Sequence, residues 1–294
     1  MRFLIFIILF FLSSSLFSQD STARSFPMKE KALLWEISGS NIPKGSYLFG
    51  TMHLIEKEYF LFPKKLEKIV AKTKVLTMEL PGLSNQMEAM SLVILKEGSF
   101  FDYFNEEQTD SILSWAQEKM HLDENQFRMT FSKMKPFAVA QLTTQMHFIG
   151  KTESYEMTFE KIAKEKEIEI KGLETIQEQI AVFDNMSNEQ QAIMVMESIS
   201  NEDSTIATMK NMQRMYNDQQ IDSLYSFIVK EGGTISKEQN TFIDERNKNW
   251  IPKIEEMIKA QKTFIAVGAG HLGGPNGVIR LLERKGYALT PVKL

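Results

Sequence analysis

The sequence predicts an α/β (mixed α+β) protein with a central mixed β-sheet built from both chain ends, flanked by helices and with a largely helical middle section. Two observations support this fold class. Apolar, strand-like runs cluster near the two ends of the chain and around residue 170, whereas helix-start signals dominate the region between them. One sheet can include strands from both ends only if the ends meet, which favours a single domain over residues 31–294.

Three strands are predicted in the first part of this domain, at residues 33–40, 46–50 and 74–80. The first two flank a turn at 41–45 that contains both proline and glycine, a pattern typical of a β-hairpin with a longer loop. Pro63 favours a helix over 64–73, because proline is well tolerated in the first helical turn. Pro81 and Gly82 indicate where the third strand stops.

The middle of the chain carries helix signals. Three residue pairs have the spacing of a capping box, in which two side chains satisfy the free amides at a helix start. They are Asn105 with Gln108, Ser187 with Gln190 and Ser236 with Gln239. Pro136 favours another helix start, and residues 167–175 predict a short strand. Helices are then expected over 187–259, with a break at Gly232-Gly233.

The C-terminal part returns to alternating strands and helices. A strand predicted at 262–269 leads into a glycine-rich turn. A helix is expected at 277–285, ended by Gly286. The last predicted strand covers 287–294, so this end of the chain has the strands needed to complete the sheet.

The N-terminus has the layout of a secretory signal. Arg2 precedes an unbroken apolar run, Phe3–Leu12, that is too short to span a bilayer comfortably, and small residues follow up to Ser18. We expect a signal peptide at 1–18, a polar leader at 19–30, and export to a periplasm or the extracellular space. No other segment has transmembrane character, so no stable membrane span is expected after removal of the signal.

The composition is that of a soluble globular protein, with 43% hydrophobic and 24% charged residues. The net charge is −4 and the two signs are mixed along the chain. An acidic chain without a basic block disfavours nucleic acid as a partner. The chain contains no cysteine, which excludes disulfides, thiolate nucleophiles and thiolate metal ligands.

Two of the four histidines share one local setting. His53 follows Gly50 by three residues at the end of a predicted strand, and His271 follows Gly268 in the same way. Ligand sites in open α/β sheets form beyond the carboxyl ends of strands, and both histidines fall at such positions. The alternative is that each is a strand-end side chain with a satisfied hydrogen bond.

Glycines crowd the turn around the second histidine. Gly268 and Gly270 precede and flank it, and Gly273 and Gly274 follow. Without Cβ atoms, such a turn can aim His271 into a cleft and leave backbone amides free for an anion or oxyanion. An ordinary strand-to-helix turn also favours glycine, and this alternative stays open.

Two histidines alone make a poor metal site, and a carboxylate is the usual third ligand. Glu79 ends an apolar strand, where an unpaired charge is unfavourable, and Glu174 ends another; either could be a ligand or a general base. Arg246 could hold a substrate carboxylate or stabilise an oxyanion. The alternatives are that both glutamates face water and that Arg246 pairs locally with Asp244 or Glu245.

The ordered set of motifs resembles the TraB/PrgY/GumN family, which includes the Tiki metalloproteases. The family pattern has two Gly-x-x-His motifs, one near each end, with a glutamate after the first. Here they are Gly50–His53 and Gly268–His271, and the matching segments cover residues 30–294. These segments are LLWEISG, YLFGTMHL, TMEL, KGLETIQEQ, DERNKNW and FIAVGAGHLGG.

The resemblance implies a fold similar to the erythromycin-esterase and ChaN-like proteins, with the two histidines in one site. It implies a hydrolase, of the peptidase kind, that uses a divalent metal (manganese, cobalt or zinc) on a peptide or small-molecule substrate. The implied metal ligands are His53, Glu79 and His271, the catalytic residues Glu174 and Arg246, and the cofactor-binding glycines Gly50, Gly268 and Gly270. The alternative is a non-catalytic protein that sequesters a peptide or haem in the same cleft.

Overall fold

A computed structural model of the chain describes residues 29–81, 86–231 and 236–294. The predicted signal peptide and all but the last two residues of the leader lie outside this part. So do Gly82 and the predicted helix break at Gly232-Gly233, as well as the side chains of Ser236 and Gln239. Within the described residues, no helix has both the length and the apolar character needed to cross a membrane.

A six-stranded mixed sheet joins the two ends of the chain, as predicted. Its strands are β1 (Leu34–Ser38), β2 (Ser46–Thr51), β4 (Val75–Met78), β6 (Glu169–Gly172), β7 (Thr263–Gly268) and β8 (Ala288–Val292). The spatial order is β6-β4-β7-β2-β1-β8. Strands β6, β4, β7 and β2 are parallel neighbours, and β1 is antiparallel to both β2 and β8. A separate two-stranded ribbon pairs β3 (Ile55–Glu56) with β5 (Thr152–Glu153).

The central strands are apolar because helices cover both faces of the parallel part of the sheet. Every residue of β4 is buried, and so are the first five residues of β7. The register pairs Thr51 of β2 with Gly268 of β7, and Met78 of β4 with both Ala266 and Gly172. The carboxyl ends of four adjacent strands therefore lie side by side.

The helices occupy most of the middle of the chain. They are α1 (Lys64–Val70), α2 (Gln86–Leu92), α3 (Glu106–Trp115), α4 (Glu124–Phe131), α5 (Pro136–Met146), α6 (Tyr155–Glu165), α7 (Ile176–Asp184), α8 (Asn188–Ser200), α9 (Glu202–Asn217), α10 (Ile221–Glu231), α11 (Ser236–Ala260) and α12 (Val278–Arg284). The capping boxes predicted at Asn105 and Ser187 are present. Helix α5 begins at Pro136, as its sequence predicts.

The buried apolar residues of the described part form two clusters. One surrounds the sheet and includes Trp35, Phe49 and Phe264. The other lies within the helical middle section and includes Phe127 and Phe137. The helices of the middle section thus carry a core of their own beside the core of the sheet.

Candidate functional site

Four neighbouring parallel strands each contribute to one cluster of polar side chains. His53 follows β2, His271 follows β7, Glu79 follows β4 and Glu174 follows β6. Because these strands are adjacent, their carboxyl ends bring residues far apart in sequence to one edge of the sheet. Helix α11 adds Arg246 to the cluster. The five side chains that the sequence singled out are therefore brought together.

Arg246 binds both carboxylates. Its Nη2 donates to Glu79 Oε2 at 2.6 Å and to Glu174 Oε1 at 2.5 Å, and its Nε donates to Glu174 Oε2 at 3.0 Å. Trp250 Nε1 donates to the same Glu174 oxygen at 3.1 Å, and the Trp250 ring lies 4.9 Å from the guanidinium carbon. The alternatives in which the glutamates face water and Arg246 pairs with Asp244 or Glu245 are wrong, because all three side chains are at most 11% exposed and Arg246 pairs with both glutamates.

Asn247 fixes the orientation of His271. The Asn247 Nδ2 group donates to the backbone carbonyls of His271 at 3.3 Å and Asn276 at 2.9 Å, so its Oδ1 is the atom that faces the ring. That oxygen lies 2.7 Å from His271 Nδ1. The Nδ1 atom must therefore carry the proton, and Nε2 presents a lone pair to the cluster. Burial, and then the nearby Arg246 charge, lower the pKa of His271 to about 3, which keeps the ring neutral.

Glu156 holds the other histidine. His53 Nδ1 lies 2.8 Å from Glu156 Oε1, and Glu156 stands in the first turn of α6. Burial opposes the charged imidazolium, but the Glu156 and Glu79 carboxylates outweigh it and raise the pKa of His53 to about 9. The two histidines therefore differ in charge at neutral pH: His53 is protonated and His271 is not.

Glu79 lies between the two rings. Its Oε1 is 3.9 Å from His53 Nε2 and 3.9 Å from His271 Nε2. The Gly268 amide donates to the same oxygen at 2.8 Å, and Gln179 Nε2 lies 3.3 Å from Oε2. Burial alone would raise the pKa of Glu79, but Arg246 and the two histidines lower it to about 2. This carboxylate is thus ionised and held by several donors.

Gly268 leaves space at the centre of the cluster. A Cβ atom at this position would lie 3.3 Å from Glu79 Oε1, 3.6 Å from His271 Cδ2 and 4.0 Å from His53 Nε2. A side chain here would fill the volume that the three groups surround. The backbone does not require glycine at position 268, because its φ of −52° suits any residue. The absence of a side chain there instead leaves space at the site.

The other two glycines do not border this volume. A Cβ on Gly50 would lie 3.0 Å from the Cα of Ala269, and one on Gly270 would lie 2.7 Å from Ile228 Cδ1. Both allow close packing of neighbouring chain segments. The expectation that they line a cofactor site receives no support from their positions.

The glycine-rich turn does not leave all of its amides free for an oxyanion. The Gly268 amide donates to Glu79, and the Gly274 amide donates to Asp222 Oδ1 at 2.8 Å. Asp222 is also held by Arg280, which fixes the turn to α10 and α12. These two backbone donors of the predicted oxyanion site are therefore committed to carboxylates of the protein itself.

The cluster suits a divalent metal in its chemistry but not in its present spacing. In the described part of the chain, no three His, Asp or Glu side chains stand close enough together to hold an ion. His53 Nε2 and His271 Nε2 each lie 3.9 Å from Glu79 Oε1, and these two separations exceed the edge of a tetrahedral zinc site by about half an ångström. The far nitrogen of each ring has a polar partner, as ligating histidines require, and Gly268 leaves room between them.

Three residues of the cluster were missed from the sequence: Glu156, Asn247 and Gln179. Asn247 follows Arg246 directly, and Gln179 lies in the segment KGLETIQEQ, so both stood inside motifs that had been singled out. Glu156 carried no such signal. An acidic residue in the first turn of a helix is expected from the helix dipole alone.

Comparisons with known proteins agree with the resemblance found in the motifs. No curated protein and no solved structure gives a significant match to the chain. A family model does match, over residues 33–291, which include all the site residues and all but the last residue of the sheet, Val292. The chain therefore belongs to the TraB/PrgY/gumN family.

Proposed function

We propose that this protein is a divalent-metal-dependent hydrolase that acts on peptide bonds. One observation carries the proposal: two imidazole Nε2 atoms lie 3.9 Å from one oxygen of the ionised Glu79, around a volume that Gly268 leaves open. Two histidines and a carboxylate are the donor set of many hydrolytic metal sites. The family resemblance supports the same reaction class.

In this proposal His53, Glu79 and His271 hold a manganese, cobalt or zinc ion. Such an ion, when bound, polarises a carbonyl and lowers the pKa of a bound water. Loading requires His53 to lose its proton, because a ligating nitrogen must be unprotonated. Glu156 then keeps the His53 ring in place through Nδ1, as Asn247 does for His271.

In this proposal Glu174 transfers protons and Arg246 stabilises negative charge. Burial raises the pKa of Glu174, although Arg246 beside it acts in the opposite direction, so this carboxyl is the group best suited to accept a proton during turnover. Arg246 keeps Glu79 ionised and holds Glu174 in place. We expect its guanidinium to stabilise negative charge developing on the substrate if its hold on one carboxylate loosens.

Export is part of the proposal and rests on the N-terminal segment alone. A secreted or periplasmic enzyme meets peptides rather than nucleic acids, and the net charge of −4 fits that expectation.

A second candidate function is binding without turnover. The observation that favours it is the position of Arg246, whose Nη1 lies 3.3 Å from His271 Nε2 while Nη2 binds Glu79. The Arg246 guanidinium therefore already contacts His271 Nε2 and the Glu79 carboxylate, which a bound metal would need as ligands. A peptide or haem-like ligand sequestered over this cluster would need no metal.

Metal content and cleavage test the two candidates together. The purified protein is titrated with Mn²⁺, Co²⁺ and Zn²⁺ by calorimetry and screened against a peptide library by mass spectrometry. His53→Ala and His271→Ala are expected to lose both binding and cleavage. The control variant His121→Asn changes an exposed histidine outside the cluster and should keep both. Cleavage that persists in His271→Ala would refute the assignment, and ligand binding without metal or cleavage would establish the second candidate.

A further inference from the structure

A cleft of about 600 Å³ lies on the sheet away from the His53–His271 cluster, and shares no residue with it. Its apolar surface comes from Tyr47, Ile69 and Val292, and its charged lining consists of Glu36, Lys65, Lys68, Lys72 and Lys262. Four lysines and one glutamate therefore surround one cavity in a protein whose net charge is −4. The volume is within the range of sites for small molecules.

Three of the lysines share one side of α1 and the turn after it. Lys65, Lys68 and Lys72 are spaced three and four residues apart, which places their side chains on the same face. Lys65 Nζ donates to the backbone carbonyl of Lys293. Within the described residues, none of these lysines forms an ion pair with a carboxylate.

Lys262 faces them from the start of β7, and its backbone is firmly placed. Its carbonyl accepts hydrogen bonds from the amides of Lys74 at 2.8 Å and Val75 at 3.3 Å. Gly45, with φ of +92°, lies beside the Lys262 side chain, whose Cδ would be at an ordinary contact distance of 3.7 Å from a Cβ at position 45. The fold thus adds a fourth lysine, from a distant part of the sequence, to the lining of this cavity. It too has no ion pair among the described residues.

We infer that this lysine cleft, defined by Lys65, Lys68, Lys72 and Lys262, binds a phosphate-bearing ligand with at least two negative charges. Like charges held around one cavity repel, and a multiply charged anion relieves that repulsion. Lysine binds phosphate as a compact point charge, and the described lining of the cleft supplies four lysines and no arginine. Tyr47, Ile69 and Val292 provide contacts for an apolar part of the ligand. The inference does not depend on the proposed hydrolase activity.

Calorimetry with sodium tripolyphosphate tests the lysine cleft. We expect saturable binding that weakens at least tenfold in Lys68→Gln/Lys72→Gln, with unchanged circular dichroism because both side chains are exposed. Lys161→Gln/Lys166→Gln removes the same charge from exposed positions of α6 and its end, and should bind like the wild type. His271→Ala should also bind normally, which separates this result from failure of the proposed function.

Two further titrations identify the source of the phosphate. Citrate provides carboxylates of similar charge, and vesicles of phosphatidylcholine with or without phosphatidic acid present the phosphate as a lipid headgroup. Vesicle binding that needs phosphatidic acid and is lost in Lys68→Gln/Lys72→Gln assigns a lipid headgroup, whereas tripolyphosphate binding alone assigns a soluble ligand. Equal binding by both double variants, tighter binding of citrate, or no binding to either phosphate source would overturn the inference.

Discussion

Asn247 and His271 are joined at two points, one through the ring and one through the backbone. Asn247 Oδ1 accepts from His271 Nδ1 at 2.7 Å, and Asn247 Nδ2 lies 3.3 Å from the carbonyl oxygen of the same residue. Asn247 is fully buried. One side chain therefore decides both where the histidine stands and which of its nitrogens faces the cluster.

Removal of this contact should weaken metal binding. Asn247→Leu keeps the volume but removes the acceptor of the Nδ1 proton, so His271 loses its fixed tautomer. We expect metal affinity about 10–100-fold weaker, the usual effect of losing such an outer partner. The orphaned carbonyls should also lower the free energy of unfolding by about 1–3 kcal/mol. Calorimetry and urea denaturation measure the two effects, with the exposed Asn217→Ala as control. Unchanged metal affinity would show that His271 needs no orientation by Asn247.

Gly268→Ala is expected to close the volume between the histidines. Its backbone angles, φ −52° and ψ 135°, suit alanine, so the folded state should be little affected. The added methyl would contact Glu79 Oε1 at 3.3 Å, in the volume that the proposed metal would occupy. We predict at least tenfold weaker metal binding with a melting temperature within a few degrees of the wild type.

Gly274→Ala provides the contrasting case. Its φ is +82°, and a Cβ would lie 2.4 Å from Tyr225. Alanine there should destabilise the fold by more than 1 kcal/mol. If Gly268→Ala lost stability instead of metal, the role assigned to the open volume would be refuted.

Arg246→Met should destabilise the protein through the charges that it leaves behind. Glu79 and Glu174 are 7% and 5% exposed and would be buried without a counter-charge. Breaking such a buried pair typically costs about 3–5 kcal/mol. A bound divalent cation would replace the lost charge, so we expect Mn²⁺ to raise the melting temperature of Arg246→Met more than that of the wild type. Thermal melts with and without Mn²⁺ decide this, and an equal shift in both proteins would argue against a metal at Glu79.

The His53–Glu156 contact predicts a pH dependence in metal-free protein. The pKa of His53 is raised from 6.5 to about 9, so its stabilising effect is complete below pH 6.5 and disappears as the pH rises through 9. The difference in unfolding free energy between the wild type and His53→Gln should reach at most about 3 kcal/mol near pH 6 and vanish by pH 10. Denaturation in the presence of EDTA measures it. A difference that stays constant over this range would show that the imidazole is not charged in the fold.

Glu197, near the end of α8, is a position where a substitution should stabilise the protein at high pH. Burial raises the pKa of Glu197 from 4.5 to about 7. Protein stability contributed by this group is therefore complete below pH 4.5 and lost as the pH rises through 7. Glu197→Gln should melt above the wild type at pH 8, by a few degrees at most because the side chain is partly exposed, and should match it near pH 4.5. Equal melting temperatures at pH 8 would exclude a buried charge at this position.

The strand ends were predictable because their signals are local. An apolar run that stops at glycine before His53 and His271, or at Glu79, marks the carboxyl end of a buried strand in the sequence itself. Once those strands are taken as parallel neighbours, the meeting of their ends follows. Arg246 was harder, since a cation on a helix is ordinarily a surface group, and only its place in the motif DERNKNW set it apart.

The rest depends on contacts between distant segments. Glu156 meets His53 only because α6 packs against the sheet, with Tyr155 and Phe159 against Phe49 at ring separations of 5.3 Å and 5.7 Å. The lysine cleft likewise exists only because α1 lies opposite the start of β7. Capping patterns and hydrophobic periodicity predict single helices and strands, but they do not predict how close two such elements lie in the fold.

The place of β7 in the sheet has a consequence for how the protein acquires its fold. This strand lies between β2 and β4, yet it is made about 185 residues after β4, at positions 263–268 against 75–78. During synthesis β2 and β4 have no strand between them, and the parallel part of the sheet cannot be completed until about the last tenth of the chain has been made. Folding should therefore be slow and late, in keeping with such long-range strand pairing. A nascent chain stalled before β7 would contain both first-half site residues, His53 and Glu79, and no assembled site.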